Sequence, residues 1–275
     1  MFAPFLIMLR EGLEAALIIG ILCGYLTRTG RRALLPAIWS GILLALSLAL
    51  LTGAVLIWLD ASFPQKAQEL LEAGIGIVAY VFLITMVLWM RKFGRSVKSD
   101  LQHQMDAAFS SGTTWSLVLL SFAAVAREGL ESVFFLLAIF QQSAGWQAPI
   151  GALLGIVLAI GVGWLIHRGA LHVNLGKFFH WTSIFIVLIA AGIAASVPRA
   201  LHEAGIWNHL QQPIWNLSGT LPESSLFGTI LSGFFGYRET LVLGELLVYL
   251  VALLIPLAWL LRPVKSATEA RHVRP

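Results

Sequence analysis

Two copies of the pentapeptide Arg-Glu-Gly-Leu-Glu, at residues 10–14 and 127–131, place six charged side chains inside long apolar runs. On a helix, Glu11 and Glu14 stand at i and i+3 and project from one face, while Arg10 and Glu14, at i and i+4, are close enough to pair. Arg127, Glu128 and Glu131 repeat that geometry. Gly12 and Gly129 remove a side chain between the acids and let a neighbouring helix come close. Antiparallel packing of the two motif helices would bring Arg10 near Glu131 and Arg127 near Glu14. Four carboxylates and two guanidiniums leave a formal charge of −2, which a hard cation held by carboxylate oxygens would balance. Such oxygens suit Mn, Mg and Ca as well as Fe, so donor type alone selects no one metal. A proton relay through the glutamates and a buried ion-pair network that only fixes helix register are the other readings these residues leave open.

Other polar residues are weaker candidates. Glu69 and Glu72 open the third apolar run, again at i and i+3. They either capture a cation on its way in or simply complement a helix N-terminus. His202 and Glu203, with His209 further on, form a second candidate for the point of access, together with Glu72; a plain interfacial cluster is the simpler alternative. Glu245 lies one turn into the last run, where it can reach water. His167, His172 and His180 sit at helix ends, and no pair of histidines stands at depth in two helices, as a transmembrane haem would need. Met86 and Met90 read as packing or lipid contacts. The lone Cys23 excludes an internal disulfide and any thiolate-rich metal site.

The elements that must position these residues follow from composition. Of 275 residues 58% are hydrophobic and 12% charged, about half the charged share of a soluble domain. Several apolar runs reach the roughly 20 residues that cross a bilayer. The sequence predicts an all-α polytopic membrane protein with spanning helices at 4–26, 34–59, 69–90, 115–141, 148–167, 178–197 and 241–261. The N-terminus has neither the basic region nor the small-residue cleavage site of a signal peptide, so it starts the first span. No Gly-rich phosphate loop supports ATP use, and the basic balance points to loops at the membrane surface rather than to nucleic acid.

Loop charge orients the chain. Arg28, Arg31, Arg32, Arg91, Lys92, Arg95, Lys98, Arg168, Lys177, Arg262, Lys265, Arg271 and Arg274 fall in one set of loops and the tail, against Lys66, Arg199 and Arg238 in the other. The positive-inside rule then puts the N-terminus outside and the C-terminus inside. The two motif helices run in opposite directions, as in an inverted repeat of three helices plus three, with units at about 1–91 and 114–197. A seventh helix at 241–261 completes a single transmembrane domain over residues 1–261, and a short basic cytoplasmic tail follows at 262–275. Residues 198–240 form an extracytoplasmic loop; within it, Ser225–Tyr237 is too short to cross and reads as a re-entrant or interfacial segment, or as a loop packed on the helices.

The paired motifs with their flanks, MLREGLEAALI at 8–18 and VAREGLESVFFLLA at 125–138, together with FPQKAQELLE, HEAGIWNH and SLFGTILSGFFGY, resemble the iron permease family typified by the yeast high-affinity iron permease. The bacterial branch is the more similar. The resemblance implies a non-enzymatic iron transporter of the bacterial inner membrane. Glu11, Glu14, Glu128 and Glu131 would bind iron in passage, supported by Arg10 and Arg127. Iron would be the transported substrate, with no permanently bound cofactor. The implied partners are a periplasmic cupredoxin-domain protein and a haem peroxidase. Transport of another divalent metal such as Mn or Pb, and a membrane scaffold for extracytoplasmic redox proteins, are the rival readings.

Overall fold

A backbone cut off from water must satisfy its hydrogen bonds within the segment, so long apolar runs settle as helices. The structure is a computed structural model that describes residues 1–93, 101, 103–107, 114–142, 145–167, 175–223 and 225–261. Seven helices have 19 residues or more among the described residues: α1 (Phe2–Arg28), α2 (Leu35–Ser62), α3 (Gln65–Phe93), α4 (Thr114–Gln142), α5 (Gln147–His167), α6 (Leu175–Glu203) and α8 (Leu243–Leu261). Five stretches, in α2, α3, α5, α6 and α8, are long and apolar enough to cross a membrane. Helices α1 and α4 match them in length but carry the charged pentapeptides. Arg95, Lys98, Arg168, His172 and the tail 262–275 lie outside the described residues.

The helices pack as α1 on α5, α2 on α4, α3 on α6 and α6 on α8, and α1 meets α4 at the centre. The α1–α4 crossing is antiparallel. The N-terminal part of α1 (Ala3, Leu6, Ile7) shares one cluster with the C-terminal part of α4 (Phe135, Ala138, Ile139). Leu22 and Leu26 of α1 share another with Leu117, Val118 and Val125 of α4. Leucines such as Leu50 and Leu51 of α2 face outward, as a helix that is apolar all round does in lipid.

Small residues set the closest approaches. A Cβ on Gly12 would lie 2.6 Å from the Cβ of Ala159 on α5, and one on Gly129 would lie 3.1 Å from that of Ala49 on α2. Gly41 of α2 abuts the carbonyl of Val118, and Gly151 of α5 abuts that of Met1. The pentapeptide glycines therefore admit α5 and α2, rather than bringing the two motif helices together.

The region after residue 197 differs from expectation. Helix α6 continues through Pro198 to Glu203. The chain then forms β1 (Pro213–Asn216), the ten-residue α7 (Leu226–Phe235) and β2 (Thr240–Val242). The strands pair antiparallel, Trp215 with Leu241 and Asn216 with Thr240, a ribbon that no alternating pattern in the sequence signals. Ser225 caps α7 by accepting the Gly228 N–H, and Gly236 ends it in the left-handed region at φ 64°. A Cβ on Gly236 would lie 2.5 Å from the Cα of Gly192, well inside α6, so only glycine suits both the backbone and the contact.

Candidate metal site

The two motifs form a polar knot where α1 crosses α4. Each arginine closes on its own helix: Arg10 Nε donates to Glu14 Oε1 at 3.0 Å, and Arg127 Nε to Glu131 Oε1 at 2.9 Å. These are the i, i+4 pairs that the spacing allows, and they need no particular interhelical distance. The halves are unequal, since Arg10 is wholly buried while Arg127 is 43% exposed.

Glu11, Glu128 and Glu131 are all buried, and each offers a carboxylate oxygen within 4.8 Å of the other two. Both oxygens of Glu11, Oε2 of Glu128 and Oε2 of Glu131 have no hydrogen-bond partner. Buried acceptors are normally satisfied, and orphaned ones call for an explanation. Three converging carboxylates with free oxygens form a donor set for a hard cation. Glu14 stands outside this trio, with one carboxylate oxygen on Arg10. The second motif thus brings both its acids to one point, Glu131 while also accepting from Arg127, whereas the first motif contributes Glu11 alone.

A second polar cavity, of about 200 Å³, opens at the far ends of α3, α4 and α6, lined by Glu69, Glu72, Gln141, Ser196, Arg199, Glu203 and Arg238. Of the three residues proposed for access, Glu72 and Glu203 line it. His202 instead hydrogen-bonds Asn208 and the Trp207 carbonyl. Arg199 grips Glu245 of α8 at 2.7 and 3.2 Å, so Glu245 is buried in an ion pair rather than reaching water. Arg238 is brought in by a loop held at Tyr237, whose hydroxyl donates to the Leu221 carbonyl, and at Glu223 and Glu239, each accepting the other's backbone N–H. Burial, and next the Arg199 guanidinium, lowers the Arg238 pKa from its ordinary value. Nothing local in the sequence ties Arg199 to Glu245 or aims Arg238 into a cavity, because the partners lie far apart in the chain.

The family model described as "Iron permease FTR1 family" matches residues 1–273. The chain belongs to the FTR1 iron permease family. This family is one of transporters, not enzymes. The ferrous iron permease EfeU of Escherichia coli O6:K15:H31 (strain 536 / UPEC) is 49% identical over 276 residues, covering 99% of this chain and all of the relative. The ferrous iron permease EfeU of Yersinia pestis is 49% identical over 282 residues, covering both chains fully. That of Shigella sonnei (strain Ss046) is 48% identical over 274 residues, covering 98% of this chain and 99% of the relative. No solved structure matches the chain significantly. In this FTR1-family chain both pentapeptides stand intact at the α1–α4 crossing.

Proposed function

We propose that this FTR1-family member moves iron across the bacterial inner membrane into the cytoplasm, through Glu11, Glu128 and Glu131, with Glu14 as a fourth ligand held in reserve by Arg10. The observation that carries this reading is the convergence of three buried carboxylates with unclaimed oxygens. A cation would reach the acidic cavity at Glu69, Glu72 and Glu203, exchange water for glutamate oxygens at the crossing, and leave toward the basic loops. Ile7, Ile75, Ala79 and Phe135, all buried in one cluster, would form the apolar layer between cavity and carboxylates. This layer must part for passage.

The chain would cross the membrane seven times, α1 and α4 included, with the N-terminus outside and the C-terminus inside. Matched contacts support an inverted three-plus-three repeat. One constant shift in numbering carries Arg10 to Arg127, Met1 to Val118 and Gly12 to Gly129. Another carries Gly41 to Gly151 and Ala49 to Ala159. Under these shifts the Gly41–Val118 contact becomes Gly151–Met1, and Gly129–Ala49 becomes Gly12–Ala159. Redox handling of iron would fall to extracytoplasmic partners, a cupredoxin-domain protein and a haem peroxidase.

The test is Fe(II) uptake by proteoliposomes, with E11Q, E128Q and E131Q as variants and Mn(II) and Pb(II) as competitors. Each substitution should reduce uptake at least tenfold at unchanged protein level. Wild-type rates in all three would rule out the glutamate path. Preferential block by Mn(II) would favour the rival divalent cargo, and partner binding without metal flux would favour a scaffold.

A further inference from the structure

Arg10 presents a contradiction that the glutamate pathway does not resolve. Its guanidinium is wholly buried, and only Nε finds a hydrogen-bond acceptor, on Glu14. Nη1 and Nη2 have no partner. On the same knot of helices, four carboxylate oxygens of Glu11, Glu128 and Glu131 are equally orphaned. Buried donors and buried acceptors of opposite charge ought to combine, since each left unpaired costs the full desolvation penalty of its group. Something holds them apart.

The restraint comes from α6. The Arg10 guanidinium carbon lies 5.9 Å from the centre of the Phe179 ring, within the range where a cation is attracted to an aromatic face, most strongly where water is excluded. Phe178, the preceding residue, packs against Leu9, Leu13 and Ala159, which fixes this turn of α6 against α1 and α5. Glu14 grips one edge of the guanidinium and Phe179 draws the cation toward α6. Two of the three converging carboxylates, Glu128 and Glu131, are carried by α4. In the second motif the corresponding Arg127 is 43% exposed, so its charge is accommodated by a different environment.

We propose that Phe179 is a positioning residue for the metal site: with Glu14 it holsters Arg10, and so keeps an internal cation from occupying the carboxylates meant for the cargo. This inference rests on the glutamate reading above. Released from the ring, Arg10 would swing toward Glu11 and Glu131 and compete with the metal for the same oxygens. The defect would be one of affinity, with capacity intact.

The test uses purified full-length protein in nanodiscs, with Mn(II) as a paramagnetic probe for the divalent site and free Mn(II) followed by electron paramagnetic resonance. F179L should weaken binding about tenfold, the scale of one desolvated cation–π contact, with one site still filled at saturation. F179Y and F179W, which keep an aromatic face, should restore affinity. If leucine disturbs folding, progressively fluorinated phenylalanines at position 179 keep the shape while draining the ring's negative face, and affinity should fall stepwise with fluorination. In an R10Q background F179L should have no further effect, because the competing cation is gone. Wild-type affinity in F179L, or the same loss with and without Arg10, would overturn the inference, the latter by showing that the ring acts through packing alone. Undiminished binding in E11Q and E131Q gives a different pattern: it removes the glutamate site, and this inference with it.

Discussion

At the residue scale, the first three positions of the pentapeptide each meet a different helix. Successive residues on a helix diverge by about 100°, so Arg10 faces α6, Glu11 faces α4 and Gly12 faces α5. Gly12 shows how little room is left. A Cβ there would lie 2.6 Å from that of Ala159, and overpacking of this kind costs about 1–3 kcal/mol. G12A should therefore lower the thermal unfolding midpoint in detergent, and A159G in the same chain should recover part of the loss. Recovery is expected because the clash involves two side-chain carbons and not the backbone. A midpoint unmoved by G12A would show that α5 can stand off from α1 at no cost.

At the element scale, α6 connects the two polar regions. Its first turns carry Phe179 to Arg10, and its last turns carry Ser196, Arg199 and Glu203 to the acidic cavity. Arg199 also binds α6 to α8 through Glu245 and to β2 through the Thr240 carbonyl at 3.2 Å. Glu245 is 2% exposed, so removing its partner strands a buried charge, which costs about 3–5 kcal/mol. R199A should destabilise the protein on that scale in detergent unfolding, and R199A/E245Q should be the milder of the two, because no charge is then left unpaired. Equal losses in both would mean that the arginine acts through packing of its stem. The cavity belongs to this scale as well: E72A should raise the KM for iron severalfold with kcat nearly unchanged. An equal fall in kcat would place Glu72 in the rate-limiting step instead of the approach.

At the scale of the whole molecule, the proposed orientation rests on the bias of basic residues between the two sets of loops. The acidic cavity and the ribbon lie at one end of the helices, and Arg28, Arg31 and Arg32 stand at or just past the end of α1 at the other. If the N-terminus is outside, an impermeant thiol reagent added to intact spheroplasts should label a cysteine at Ser218 in a Cys23→Ser background. It should leave one at Thr29 untouched until the membrane is opened. The reverse pattern would invert the orientation and with it the direction of transport.

The sequence alone determined the long helices, because lipid leaves an apolar backbone few alternatives. It also determined the candidate ligands, because charge is too costly at that depth to be incidental. Spacing placed Glu11 and Glu14 on one face but was silent about what lay opposite that face. Only the tertiary structure decided that Glu11, Glu128 and Glu131 converge, that the Phe179 ring stands against the Arg10 guanidinium, and that Glu245 is gripped by Arg199. These contacts join residues on different helices, and helical periodicity fixes a direction around one axis without fixing which neighbour stands there. The β1–β2 ribbon was illegible for a related reason: strands of four and three residues are too short to show alternation, and they pair across the intervening α7.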